Sequence, residues 1–235
     1  MNVYEKFKEI NGQFITEPTL IASKLSNIKA FIFDWDGVFN SGDKQANGGS
    51  SFSEVDSMGT NLLRYSFFLK NNRLPICGII SGEKNESAFY FSSREGFDFS
   101  FFKIAHKHDA LNFICKDKNI KPEEVAYFFD DVLDLSIAKM CGLKILIHRK
   151  SNPLFTDYCI KNNLVDYITG SESGRFAIRE ASELLIGLAN NYDSVIVNRT
   201  EYTDSYETYI QGRKLIQTKF YTLKDNSIEE CDVLF

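Results

Sequence analysis

The chain lacks a CxxC pair. Its five cysteines, Cys77, Cys115, Cys141, Cys159 and Cys231, are odd in number and scattered, which argues against a disulfide framework and for reduced core thiols. No apolar run is long enough to span a membrane. The opening MNVYEKFKEINGQ carries a charge every few positions, so it reads as neither a signal peptide nor a span. Basic residues are not in excess: 27 Lys and Arg against 32 Asp and Glu give a net charge of -5, which argues against nucleic acid as a partner. The three histidines, His106, His108 and His148, show no ligand spacing, and no internal repeat is found. The Asn85-Glu86-Ser87 and Asn198-Arg199-Thr200 triplets read as chance in a chain without a secretion signal. These absences leave a cytoplasmic globular protein as the expectation.

What is present fits one large domain, or one domain with extensions, in 235 residues. At 43% hydrophobic and 25% charged the composition is ordinary, but 21 phenylalanines and 11 tyrosines can fill a sizeable core and part of an interface. Short apolar runs at Ala30–Phe33, Ile76–Ile80, Phe99–Ile104, Val125–Phe129 and Leu143–Ile147 have the length of buried strands. Helical spacing lies between them, at Asn61–Leu69, Lys107–Lys118 and Leu133–Met140, with a short helical start at Lys121–Glu124. Strand and helix in alternation mean an α/β fold: a Rossmann-like parallel sheet with helices on both faces.

In such a sheet the ligand crevice lies at the carboxyl ends of the strands. Asp34 and Asp36 follow the first strand, Ser81 and Gly82 the second, and Asp130 and Asp131 the fourth, while Lys107 opens the helix after the third. The stretch SGDKQANGGSS at residues 41–51 reads as a turn-rich loop or hairpin tip. The connections from Asp36 to Ser81 and from Ser81 to Lys107 are too short for a separate cap domain. The expected division is a helical extension over 1–28, a core over 29–188, and a polar, tyrosine-rich extension over 189–235.

Paired aspartates at a strand end suit metal-assisted phosphoryl transfer. Asp34 can attack phosphorus and form an aspartyl phosphate, and Asp36 can protonate the leaving oxygen and then activate water. Mg2+ takes oxygen ligands and needs few carboxylates besides a phosphate; Asp34, Asp36 and Asp130 supply them, and the ion relieves the repulsion between the aspartates. Ser81 and the Gly82 amide can bind a phosphate oxygen, and Lys107 can supply a fixed positive charge. Each piece alone has a plainer explanation. A DxDG is common in turns, Asp130-Asp131 can be a helix cap, and a single lysine is usually a surface residue.

The ordered set FIFDWDGVFN, IISGEK, Lys107 and FFDDVLD resembles the haloacid dehalogenase superfamily of phosphatases. More narrowly, with VDSMG at Val55–Gly59 and SGRFAIRE at Ser173–Glu180, the chain resembles the capless 3-deoxy-octulosonate 8-phosphate phosphatases and their nonulosonate-phosphate relatives, from about Ile28 to Leu188. The resemblance implies Mg2+, an aspartyl-phosphate intermediate, a sugar-phosphate substrate and a homotetramer. It also implies a β-hairpin flap over roughly Val38–Val55 and a neighbouring subunit's tail near Gly174 and Arg175 closing the site. It implies substrate contacts from Asp56, Glu83, Lys84 and Arg175, with Asp131 and Asp134 as supporting carboxylates. Three departures stand out. Phe129 replaces the usual glycine before the paired aspartates, and its ring can narrow the site. Glu83 replaces the usual arginine, and Ser57 sits in DSMG; both lean toward the nonulosonate branch. Glu83 has a plainer role open to it, as a cap for a helix from Lys84. Two rivals are an oligomerisation domain like those fused to sugar-nucleotide synthetases, and a phosphatase of an unrelated small phosphate.

Overall fold

The computed structural model describes residues 2–46, 48–225 and 227–233. Five strands carry the centre: β2 (Ala30–Phe33), β3 (Ile76–Ile80), β4 (Phe99–Phe102), β5 (Val125–Phe129) and β6 (Leu143–His148). They lie where the apolar runs place them. With β1 (Gln13–Phe14), β7 (Tyr167–Glu172), β8 (Lys219–Lys224) and β9 (Ser227–Glu230) they form one sheet of nine strands, ordered β1-β7-β6-β5-β2-β3-β4-β8-β9. From β7 to β8 all neighbours are parallel; β1 and β9 close the two edges antiparallel, so the sheet is mixed.

Alternation along the strands divides the core in two. Phe31 and Phe33 of β2 point to one face, where α2 (Pro18–Asn27), α3 (Glu54–Asn71) and α8 (Ala177–Leu188) pack. Ala30 and Ile32 point to the other, which α5 (Lys107–Lys118), α6 (Leu135–Ala138) and α7 (Pro153–Lys161) cover. Both faces of β2 and β5 are buried throughout, as parallel strands require.

The ends of the chain join this core. Residues 3–27 form α1 (Val3–Glu9), β1 and α2, so the expected helical extension also supplies an edge strand. The tail forms α9 (Tyr192–Glu201), α10 (Asp204–Lys214), β8 and β9. Tyr206 and Tyr209 of α10 are buried against Tyr65 of α3, with ring centroids 5.0 and 5.2 Å away. β8 pairs with β4 and covers an edge that would otherwise expose unpaired backbone groups. Part of the aromatic load is thus spent joining the tail to the core.

Two expectations change. No strand pairing occurs between residues 38 and 53 among the described residues, so the expected hairpin is a loop. Trp35 and Phe39 stack at 5.0 Å and Phe52 meets Phe91 at 5.1 Å, so buried aromatics anchor the segment where a hairpin would use a ladder. Its polar tip, rich in glycine and serine, has no alternating apolar pattern to favour strands. α3 also begins earlier than its apolar spacing suggests, because Ser53 caps it by accepting from the Val55 N–H.

Candidate active site

Asp34 follows β2 directly, and its N–H donates to the Phe128 carbonyl of β5 at 2.9 Å. The neighbouring strands β3 and β5 end at the same level, because Phe33 is in register with both Ile79 and Phe128. The polar residues that follow these strands therefore meet at one edge.

Lys107 is buried there, and its ammonium donates to Asp34 Oδ1 and Asp134 Oδ1, each at 2.6 Å. Tyr127 Oη donates to the same Asp134 oxygen at 2.5 Å, and the Asp131 N–H donates to Asp134 Oδ2 at 3.2 Å. Asp34, Asp130 and Asp134 each place a carboxylate oxygen within 4.8 Å of the others. Three buried carboxylates so close carry a high electrostatic cost. Burial, with the Asp134 charge, pushes Asp34 up to about 7 despite Lys107. Burial and the charges of Asp34 and Asp134 push Asp130 up to about 8, against the pull of Arg149. Burial alone would depress the Lys107 amine, but the two aspartates outweigh it and hold it well above its ordinary value. The cluster has hard oxygen donors and too little positive charge, a combination that suits a divalent cation. Asp34 and Asp130 would hold it, with Asp134 in reach.

Asp36 is placed differently. It is half-buried, with Oδ1 accepting from Ser50 Oγ at 2.6 Å and Oδ2 paired with the Lys44 ammonium at 2.5 Å. Its carboxylate lies outside the acidic cluster formed by Asp34, Asp130 and Asp134. Gly37 lets the chain turn just after Asp36 and pass close to Asp130, which follows β5. Its φ is +86°, and a Cβ there would lie 2.1 Å from Asp130 Oδ2.

Ser81 is buried, and its Oγ accepts from the Glu83 N–H at 3.3 Å, which leaves its own O–H free to donate. Gly82, Glu83 and Lys84 are exposed beyond it. α4 (Glu86–Glu95) starts after them and is capped by Asn85, whose side chain accepts from the Ser87 N–H. Glu83 is therefore not the cap. Lys84 and Ser50 line a cavity of about 250 Å³ between α4 and the loop.

Other expected residues lie elsewhere. Asp56 is buried and accepts from the Arg179 N–H at 2.8 Å, joining α3 to the start of α8; burial pushes it up to about 6. It lies in the first turn of α3 and faces the start of α8. Asp131 is exposed and caps the short turn at Val132–Asp134. Arg175 is exposed in a different and larger groove, about 620 Å³, between α1 and α8. The tail turn before it does touch the loop: Ser173 Oγ donates to the Asn40 carbonyl at 2.8 Å. Phe129 leaves the site open, since its ring is buried beside Tyr127 in the core below the edge.

Three functional candidates escaped the sequence. Arg149, which donates to Asp130 Oδ2, follows β6 at the same edge, so the strand-end rule reaches it. Lys44 and Ser50 sit in a turn-rich loop whose pattern carries no such signal.

No family model matches the chain. The 3-deoxy-D-manno-octulosonate 8-phosphate phosphatase KdsC of Haemophilus influenzae is 26% identical over 167 residues, covering 69% of this chain and 85% of that protein. A crystal structure of 3-deoxy-D-manno-octulosonate 8-phosphate phosphatase from Moraxella catarrhalis, in complex with magnesium, phosphate and KDO, is similar with a TM-score of 0.62 and 25% identity, covering 76% of this chain and 97% of that one. A putative HAD superfamily (subfamily III A) hydrolase from Legionella pneumophila has the same fold, with a TM-score of 0.64 and 24% identity over 77% of this chain and 94% of that one.

Proposed function

We propose that the chain, which belongs to the haloacid dehalogenase superfamily and is a homologue of its capless phosphatases, is a Mg2+-dependent phosphatase of a phosphorylated acidic sugar. One observation carries this reading: Asp34, at a sheet edge, shares the Lys107 ammonium with Asp134 inside a buried carboxylate cluster. Such a cluster costs stability, and a scaffold has no use for it.

Lys107 holds one Asp34 oxygen, which leaves the other to attack phosphorus. The P–O bond to the sugar breaks as the bond to Asp34 forms, and Asp36 gives a proton to the leaving alkoxide. Asp36 then takes a proton from water, whose oxygen attacks phosphorus and returns Asp34 as a carboxylate. Ser81 and the Gly82 N–H hold the phosphoryl oxygens, and Lys107 balances their charge. Mg2+, when bound by Asp34 and Asp130, supplies charge neutralisation and polarises a phosphate oxygen.

The substrate class is a 3-deoxy-ulosonate phosphate of eight or nine carbons. Such a molecule brings a carboxylate as well as a phosphate; Lys84 offers a cation at the cavity, and Lys44 offers another at Asp36. Glu83, freed from a capping role, is an acceptor for sugar hydroxyls. Exposed Val55 and Phe176, which line the groove between α1 and α8, support a homo-oligomer, and light scattering at micromolar concentration tests it.

The direct test is phosphate release from octulosonate 8-phosphate and nonulosonate 9-phosphate, with Mg2+ and with chelator. Release that depends on Mg2+ is expected. No release from either ester at saturating Mg2+ overturns the reading. Glu83→Arg is expected to change the ratio of kcat/KM between the two esters; an unchanged ratio removes Glu83 from substrate selection.

A further inference from the structure

Ser50 is buried in the loop after β2, and among the described residues four polar groups lie within hydrogen-bond distance of its hydroxyl, three of them N–H donors that share its two lone pairs. Trp35 Nε1 donates to it at 3.1 Å, Asn40 Nδ2 at 3.3 Å, and Asn85 Nδ2 also donates to it. The fourth partner is Asp36 Oδ1, at 2.6 Å. An indole N–H and an amide NH2 can only donate. The amide orientations are fixed by other bonds. Asn40 Oδ1 accepts from the Gly37 and Gly42 N–H groups, and Asn85 Oδ1 accepts from the Ser87 N–H. The Ser50 O–H therefore has one acceptor among these partners, the Oδ1 oxygen of Asp36.

We infer that Ser50 is a positioning residue that selects the working oxygen of Asp36. Oδ1 is committed as an acceptor from Ser50, so proton transfer falls to Oδ2. That oxygen faces Lys44, a half-exposed side chain on a flexible stem, whose place the leaving oxygen of a substrate can take. The same hydroxyl is bonded to Asn85, the cap of α4, which follows the phosphate turn at Ser81 and Gly82. Ser50 thus sets Asp36 in register with the groups that hold the phosphoryl oxygens. This also gives Trp35, the middle residue of the DxD, a task that packing alone does not require. The inference rests on the proposed phosphatase reading.

The test uses the full chain with Mg2+ and two esters. 4-Nitrophenyl phosphate has a leaving group that needs little protonation, whereas octulosonate 8-phosphate releases an alkoxide that needs a proton. Ser50→Ala is expected to lower kcat/KM, which reports the step in which the alcohol leaves, by roughly 10–10²-fold for the sugar ester, the size expected when an acid–base group is misplaced, and far less for the aryl ester; kcat, which includes the water attack common to both, is not the readout. Ser50→Thr, which keeps the hydroxyl, is expected to recover most of the difference. Trp35→Phe is the second variant should Ser50→Ala not fold; it removes one fixing donor and is expected to give a smaller selective loss in the same direction. Equal loss on both esters in these variants overturns the role of Ser50 while leaving the phosphatase reading in place. Failure of the unaltered protein to hydrolyse either ester overturns both.

Discussion

The site has an inner and an outer half, and each is built around a lysine and an aspartate. In the inner half Lys107 is 4% exposed and is shared by Asp34 and Asp134, which are 9% and 1% exposed. In the outer half Lys44 is 34% exposed and holds Asp36, which is 22% exposed. Ion pairs of similar length thus sit in very different surroundings. Buried charges are expensive to separate, so the inner pair is a fixed part of the site. A half-exposed pair gains little from staying closed, so the outer one can open for a substrate. The proposed nucleophile, Asp34, sits in the rigid half and the proposed acid–base group, Asp36, in the exchangeable one.

Breaking the inner half at Asp34, the proposed nucleophile, is expected to give the largest effect. Asp34→Asn keeps the shape of the side chain but is a poor nucleophile and a weaker metal ligand. Turnover is expected to vanish while circular dichroism stays unchanged. Residual activity above a few per cent with Mg2+ present would rule out the aspartyl phosphate.

Lys107→Met comes next. It leaves Asp34 and Asp134 buried without their shared cation, and removing one partner of a buried pair typically costs about 3–5 kcal/mol. Loss of a fixed charge on the phosphoryl group is expected to lower kcat by roughly 10²–10³-fold. Chemical denaturation and steady-state kinetics read the two effects separately. A variant as stable as the parent protein would mean that the inner pair does not hold the site together.

Metal and pH sharpen the same contrast. Asp34 and Asp130 are pushed up to about 7 and about 8 in the folded chain, chiefly by burial. Unfolded aspartates titrate near 3.9, so between about pH 4 and 8 the folded state holds protons that the unfolded state has released. Metal-free protein therefore loses stability as pH rises through that window. A divalent cation supplies the missing charge, and its stabilisation grows with pH. At a hundredfold excess over Kd it contributes about 2.7 kcal/mol, or roughly 5–11 °C in Tm for a chain of this size. Thermal melts with Mg2+ and with chelator at pH 5.5 and pH 8 check this, and an equal gain at both values would contradict the assignment of these carboxylates.

The inner half was legible in the sequence because its residues follow apolar runs at strand ends. Asp34, Ser81, Lys107 and Asp130 each sit one step past a β-strand or at the start of the next helix, and period and position together locate them. Arg149 obeys the same rule after β6. The outer half was not legible, because Lys44 and Ser50 take their meaning from loop geometry. Nothing in SGDKQANGGSS says that Ser50 is buried under three N–H donors while its neighbour Ser51 is exposed. The tail was hidden for another reason. α10 buries tyrosines with polar tips, and β8 shows no clear alternation of buried and exposed positions, so neither follows the usual apolar period.

Lys44→Met gives the smallest effect and tests the comparison from its other side. The pair with Asp36 is partly exposed, and such pairs contribute about 0.2–1 kcal/mol at most. Stability is therefore expected to change by less than that. Ser50 still holds Asp36 Oδ1, so the acid–base group keeps its place, and kcat is expected to fall by no more than a few-fold. If Lys44 also meets the carboxylate of an acidic sugar, KM for octulosonate 8-phosphate rises while KM for 4-nitrophenyl phosphate, which has no carboxylate, does not. Kinetics on both esters and one denaturation curve decide the matter. A loss in kcat or stability comparable to that of Lys107→Met would show that the outer pair is as fixed as the inner one, and the division of the site into a rigid and an exchangeable half would fail.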